Sequence, residues 1–230
     1  KMSSLGRISA GMAHEIRNPL SGINVYLDAI TENFEDPDNV DDIKEILKQT
    51  QKAANRIELV LKRILDFSKP MLPNLTLVNI NDILLSAIDL SEVMLNKYNI
   101  VLIKKMRENL PEIYMEPVMI EQVIVNIFSN SADAVKGMDS ERIIIITTDL
   151  SHEGIVVKLG DSGTGIPFED REKIFDPFYT TKNDGSGIGL SICHRIISDH
   201  HGTIHVAESE YGGTEIIICI PVKNNMKLNH

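Results

Sequence analysis

Apolar residues recur at steps of three and four through the N-terminal part of the chain, at Leu5, Ile8, Met12, Ile16, Leu20, Ile23, Leu27 and Ile30. That spacing lays one continuous apolar stripe along a long helix, predicted from about Ser3 to Phe34. A polar stretch, Glu35-Asp36-Pro37-Asp38-Asn39, ends it, and Ile43, Leu47, Ala54, Ile57, Leu61 and Ile64 then form a second seam close to heptad spacing. Two long helices joined by a short turn make an antiparallel hairpin, and a hairpin with an unbroken apolar stripe cannot bury it alone. Pairing two hairpins into a four-helix bundle removes the problem, so a homodimer through residues 1–68 is expected. The alternative is docking of the stripe onto the rest of the same chain.

Within the first helix, His14 falls off the stripe and stands beside Glu15 in Met12-Ala13-His14-Glu15-Ile16-Arg17-Asn18-Pro19-Leu20. Helix packing asks for neither residue there. Neutral imidazole is nucleophilic near pH 7 and an adjacent carboxylate can take its proton, so His14 reads either as a phosphate acceptor or as one of seven solvated histidines. Pro19 removes one backbone donor and favours a bend one turn after His14.

Composition narrows the class. The 230 residues are 43% apolar, enough for one large domain or two small ones with real cores. A net charge of −10 argues against a nucleic-acid-binding surface, because phosphate backbones select basic stripes. Cys193 and Cys219 lack metal-ligand spacing, and buried reduced thiols in a cytosolic protein are favoured over a disulfide. No apolar run reaches the roughly 18–20 residues that span a bilayer. The chain begins inside a helical pattern at Lys1-Met2-Ser3-Ser4-Leu5, without a cap or signal peptide. The expectation is a cytoplasmic fragment whose missing N-terminal part holds sensor or membrane elements.

Lys69-Pro70-Met71-Leu72-Pro73 breaks the helical pattern. The predicted division is a hairpin at 1–69, a linker at 70–74, a second domain at 75–222 and a tail at 223–230. In the second domain, strands are predicted at 75–80, 100–106, 113–115, 142–150, 155–159, 203–208 and 214–220. Helices are predicted at 82–97, capped by Asn81, at 117–135 with Pro117 in the first turn, and from about Gly189 to His200. Glu153-Gly154 marks a hairpin turn. The fold class is therefore α+β: a helical hairpin forming a dimeric four-helix bundle, then an α/β sandwich with helices on one face of a mixed sheet.

Three stretches of the second domain carry candidate chemistry. On the helix at 117–135, Asn126, Asn130 and Asp133 lie along one face of an otherwise apolar helix. Amide oxygens are hard donors suited to Mg²⁺, and solvated asparagines are the other reading. Gly160-Asp161-Ser162-Gly163-Thr164-Gly165-Ile166-Pro167 places a carboxylate at a strand end beside a backbone that can approach a flat ligand, or simply makes a tight turn. In Asp184-Gly185-Ser186-Gly187-Ile188-Gly189-Leu190, spaced glycines lead into a helix, whose free donors and dipole favour an anion. This stretch is neither a P-loop nor a dinucleotide fingerprint, since no Gly-Lys-Ser/Thr ends it and no strand immediately precedes it. Between the glycine stretches, Phe175-Asp176-Pro177-Phe178-Tyr179-Thr180-Thr181-Lys182 is aromatic and then cationic, as in a lid over a nucleotide.

In this order, His14-Glu15-Ile16-Arg17-Asn18-Pro19, Asn126 to Asn130, Asp161 to Gly165, Phe175-Asp-Pro-Phe178 and Gly185 to Leu190 resemble the sensor histidine kinases of two-component systems. The resemblance covers residues 3–222. It implies a dimerisation and phosphotransfer hairpin followed by an ATP-binding domain of the type shared with gyrase, heat-shock chaperones and mismatch-repair ATPases. By motif, His14 would be the phospho-acceptor and Glu15 its base. Asn130 would be the Mg²⁺ ligand, with Asn126 nearer the phosphates and Asp133 on the same face. Asp161 would accept the adenine amino group in a pocket shaped by Gly163, Gly165 and Ile166. Phe178, Thr181, Lys182, Gly185, Ser186, Gly187, Ile188, Gly189 and Leu190 would form the lid and phosphate end.

The implied activity is ATP-dependent autophosphorylation of His14 and transfer to an aspartate on a response regulator's receiver domain. Asn18 is similar to the residue that positions water when such kinases dephosphorylate their partner, so phosphatase activity is a second expectation. Two positions depart from the family pattern. Glu116 stands where many members have aspartate, and His200-His201-Gly202 replaces the typical His-Gly-Gly.

Overall fold

The computed structural model describes residues 2–33, 40–68, 74–182 and 187–222, and in the two N-terminal helices the side chains of 16–31, 41–55 and 57. The described residues fall into two compact units: the N-terminal helices with 177–182 and 187–188, and residues 74–176 with 189–222.

In the first unit α1 spans Met2–Asn33 and α2 spans Val40–Ser68. The two helices pack on each other. α1 is helical through Pro19, and the expected turn at 35–39 lies outside the described residues. Asp41 and Asp42 occupy the first turn of α2, where the helix dipole favours negative charge. Ile16, Ile23 and Ile30 are half-buried, whereas Leu20 and Leu27 remain about half exposed, at 49% and 48%. Among the described residues no helix is long and apolar enough to cross a membrane.

The second unit opens with β1 (Thr76–Val78) and α3 (Ile80–Lys97). Asn79, not the expected Asn81, caps α3: its backbone is extended and its side chain accepts the Asn81 N–H at 2.9 Å. Asn81 instead reaches out of the helix, donating to the Arg107 carbonyl and accepting from the Thr148 hydroxyl. β2 (Val101–Met106), β3 (Ile113–Met115) and α4 (Pro117–Val135) follow, then β4 (Ile143–Leu150), β5 (Ile155–Asp161), α5 (Gly189–Asp199), β6 (Thr203–Glu208) and β7 (Thr214–Ile220). β1 pairs with β3, and the main sheet runs β2-β4-β5-β7-β6, parallel only between β2 and β4.

Alternation along the strands explains the layering. Ile144 and Ile146 of β4, Val157 and Leu159 of β5, and Ile216, Ile218 and Ile220 of β7 are buried, and α4 and α5 pack against this sheet. Thr147, Lys158 and Ile217 alternate with them and are only half-buried. Phe128 is fully buried on α4 together with Val123, Ile124 and Ile127. The result is the expected sandwich, with helices on one face of a mixed sheet.

Candidate functional site

The same alternation that buries Val157 and Leu159 carries on past the apolar run to Asp161, the last residue of β5. Its carboxylate therefore points into the helix-covered side and is 3% exposed. Oδ1 accepts the Gly163 N–H at 2.9 Å and the Thr214 N–H at 3.0 Å, while the Asp161 carbonyl accepts the Gly213 N–H at 3.2 Å. A buried carboxylate held by backbone donors is a fixed acceptor, because its ring of partners leaves it no freedom to swing away.

Glycine makes this arrangement possible at two points. A Cβ on Gly213 would lie 2.2 Å from Asp161 Oδ1, and one on Gly163 would lie 2.7 Å from Ala134 Cβ. The loop after β5 thus rests against the end of α4, one turn beyond Asn130. Gly165, at φ +73°, takes the left-handed conformation open to glycine. Ile166 is half-buried, and its carbonyl accepts from Arg171 Nε at 3.2 Å.

α4 begins with Glu116 as its cap and Pro117 in the first turn. Asn126 does not lie open on the helix face: its Nδ2 donates to the Gly189 carbonyl at 3.2 Å and approaches Cys193 Sγ at 3.7 Å. The side chain expected near the phosphates thus ties the middle of α4 to the first turn of α5. Cys193 is buried against the Val123 carbonyl, and burial pushes its thiol up to about 12. Asn130 is half-buried, and Asp133 forms an ion pair with Lys136 at 2.9 Å. Leu190 is half-buried in the first turn of α5.

The described residues of the segment expected to form a lid, 177–182 and 187–188, group with the first unit. Phe178 has φ +69° and donates its N–H to the Gly187 carbonyl at 2.9 Å. Gly187 has φ +61°, and a Cβ there would lie 2.4 Å from the Phe178 carbonyl carbon. These two residues close the base of the segment. Thr181 and Lys182 are exposed, and the Lys182 N–H donates to the Thr180 hydroxyl at 3.1 Å. Ile188 is buried, and Gly185 and Ser186 lie outside the described residues. On α1, Asn18 is exposed, and the side chains of His14 and Glu15 lie outside the described residues.

The second unit therefore sets Asp161 and Gly163, at the end of β5, against the end of α4 at Ala134, and ties Asn126, in the middle of α4, to Gly189 at the start of α5. Gly213 and Thr214 join them, although neither was singled out in the sequence. The signal available was the Gly212-Gly213-Thr214 run opening a strand; its relation to Asp161 comes from the pairing of β7 with β5.

A helix-covered mixed sheet with such a site is the architecture of an ATP-binding module. Residues 115–224 match the family described as histidine kinase-, DNA gyrase B- and HSP90-like ATPase, and residues 4–71 match the His Kinase A phospho-acceptor domain. Sensor histidine kinase ZraS of Escherichia coli (strain K12) is 32% identical over 99% of this chain and 48% of its own length. Sporulation kinase E of Bacillus subtilis (strain 168) is 29% identical over 96% of this chain and 29% of its own length.

Among solved structures, histidine kinase ThkA in complex with response regulator protein TrrA superposes with a TM-score of 0.76. It is 31% identical and covers 98% of this chain, which spans 64% of it. The catalytic domain of ThkA alone gives 0.58 at 33% identity, over 65% of this chain and 98% of that domain. This chain belongs to the sensor histidine kinases of two-component systems and carries their phospho-acceptor and ATP-binding modules. It spans about half the length of the ZraS relatives it matches.

Proposed function

We propose that this chain moves the γ-phosphoryl group of ATP onto His14 and then onto an aspartate of a response regulator. An imidazole nitrogen of His14 attacks the γ-phosphorus, the bond to the β–γ bridging oxygen breaks to leave ADP, and Glu15 takes the imidazole proton. Such a transfer needs positioning more than covalent work from the protein. The observation that carries the reading is the buried Asp161 carboxylate, fixed by the Gly163 and Thr214 N–H groups at the mouth of a glycine-lined turn. A nearly fully buried carboxylate that packing does not require is suited to accept the adenine amino group, with Gly163, Gly165 and Ile166 along the ring.

Asn130 is the residue that would hold Mg²⁺. Its amide oxygen is a hard donor on a half-buried helix face, and among the described residues no group of three His, Cys, Asp or Glu could make an all-protein cage. One such donor fits an ion held mainly by phosphates and water. Mg²⁺ would offset phosphate charge there. Asn126 and Asp133 share that face. The first-turn N–H groups of α5, at Gly189 and Leu190, suit the phosphates, with Phe178, Thr181, Lys182 and the stretch from Gly185 to Ile188 as the lid.

In the same reading residues 1–69 form the dimerisation and phosphotransfer hairpin, 70–74 the linker, 75–222 the ATP-binding domain and 223–230 a tail. The hairpin pairs with a second copy through residues 1–68. Asn18, exposed one turn after His14, suits a water-positioning role in dephosphorylating the regulator. The reading is tested by incubating the chain with γ-labelled ATP. His14→Gln is expected to abolish alkali-stable, acid-labile label while ATP still binds by calorimetry. Undiminished label on that variant places the acceptor elsewhere. Asp161→Ala is expected to lose ATP binding, and unchanged affinity removes the adenine assignment.

A further inference from the structure

His200 directly follows α5 and is 7% exposed. Its Nε2 lies 3.0 Å from the backbone nitrogen of Glu116, and its Nδ1 lies 2.7 Å from the Ile196 carbonyl oxygen. A backbone N–H only donates, so Nε2 must be the acceptor; a carbonyl only accepts, so Nδ1 must carry the proton. The two bonds together require a neutral imidazole in a single tautomer. Glu116 is also the cap of α4, its carboxylate accepting the Met119 N–H. His200 therefore joins the last turn of α5 to the residue that starts α4.

A second fastening lies at the other end of α5, where Asn126 donates to the Gly189 carbonyl. Residues 116 and 126 are separated by about 15 Å along α4, at 1.5 Å per residue. Two fastenings that far apart fix an angle, whereas one leaves a pivot. The angle they fix is the one at which the N-terminal turn of α5 meets the helix face that carries Asn126 and Asn130.

We infer that His200 is a positioning residue of the nucleotide site: as a neutral Nδ1–H imidazole it locks the end of α5 to the start of α4, so that α5 cannot pivot about Asn126. The consequence for nucleotide rests on the function proposed above; the imidazole's tautomer does not.

The test uses the whole 230-residue chain. Long-range ¹H–¹⁵N spectra of the ¹⁵N-labelled wild type are expected to show His200 with a protonated Nδ1 and a pyridine-type Nε2. An Nε2–H ring, or one averaging between tautomers, overturns the inference. His200→Phe keeps the bulk and loses both bonds, and should weaken ATP binding by roughly five- to tenfold, as expected when a buried donor loses its partner. His200→Gln can offer an amide oxygen to the Glu116 N–H and should recover most of that affinity. Thermal midpoints are recorded alongside, so that affinity is compared between folded variants. Equal affinity in wild type and His200→Phe overturns the positioning role, as does an equal loss in His200→Phe and His200→Gln. A wild-type chain without affinity for ATP overturns the nucleotide reading instead, and the spectra then still decide the imidazole's state.

Discussion

The two units of this chain bury apolar surface in opposite ways. The sheet unit closes on itself: Ile80, Leu84, Val123, Phe128, Ile144 and Ile146 are fully buried or nearly so. In the helical unit none of the side chains described on α1 and α2 is buried, and Leu20, Leu27 and Leu47 stay about half exposed. Two packed helices have only one shared seam, so a stripe wider than that seam faces outward. A sheet covered by helices needs no further surface to complete its core. The helical unit does, which is the physical case for pairing two hairpins.

The comparison breaks first at Leu20. Leu20→Glu places a charge in both copies of a paired bundle and should weaken dimerisation roughly a thousandfold, about 4 kcal/mol, in sedimentation equilibrium. Leu90→Glu, at a similarly exposed leucine of the sheet unit, should change stability by no more than about 0.5 kcal/mol. Equal, small effects at both positions would remove the distinction between the units.

Next in size is Gly213→Ala. Its Cβ must displace Asp161 Oδ1, so ATP affinity should fall by roughly a hundredfold in calorimetry while dimerisation is unchanged. Normal affinity would show that Asp161 need not be held where it stands.

A third effect belongs to the sheet unit alone. Burial raises the Cys193 thiol from 9.0 to about 12. Between those values the unfolded chain loses its proton and the folded chain keeps it. The contribution is therefore fully present below pH 9 and drains away as pH rises toward 12, at about 1.4 kcal/mol per unit. Denaturant midpoints measured across that window should fall more steeply for wild type than for Cys193→Ala, and parallel slopes would contradict the assignment.

The smallest effect is a gain. His201 sits at φ +58° just past α5, its N–H bonded to the Ser198 carbonyl and the Gly202 N–H to the Ile197 carbonyl. This pair of bonds is the Schellman termination, which favours glycine at that residue. His201→Gly should raise stability by about 1 kcal/mol in thermal melts. No gain would mean the unfolded chain's added freedom offsets the relief of strain.

Helix α4 was legible to the residue, because Pro117 marks its start and its apolar spacing is uninterrupted. β5 was read two residues short. The apolar alternation stops at Leu159, yet the strand continues to Asp161 because Gly160 pairs with Ile145 and Glu215 on either side. The cap of α3 was misplaced from Asn79 to Asn81, since two asparagines flank Ile80 and only backbone geometry chooses between them. Asp161 was legible as a candidate site residue from its own neighbours in the chain. The amides of Gly163 and Thr214 that hold it were not equally legible: one is two residues away and the other 53.

By itself, the sequence determined the helical seam, the order of strands and helices, and the residue types available for phosphoryl chemistry. These depend on periodicity and on short-range backbone preference, which act between residues a few positions apart. Only the tertiary structure decided that Gly213 must lack a side chain, that Asn126 ties α4 to α5, and that His200 is held as one neutral tautomer against Glu116. Each of those depends on a contact between segments distant in the chain, where the register of a strand or the docking of a helix sets which atoms meet.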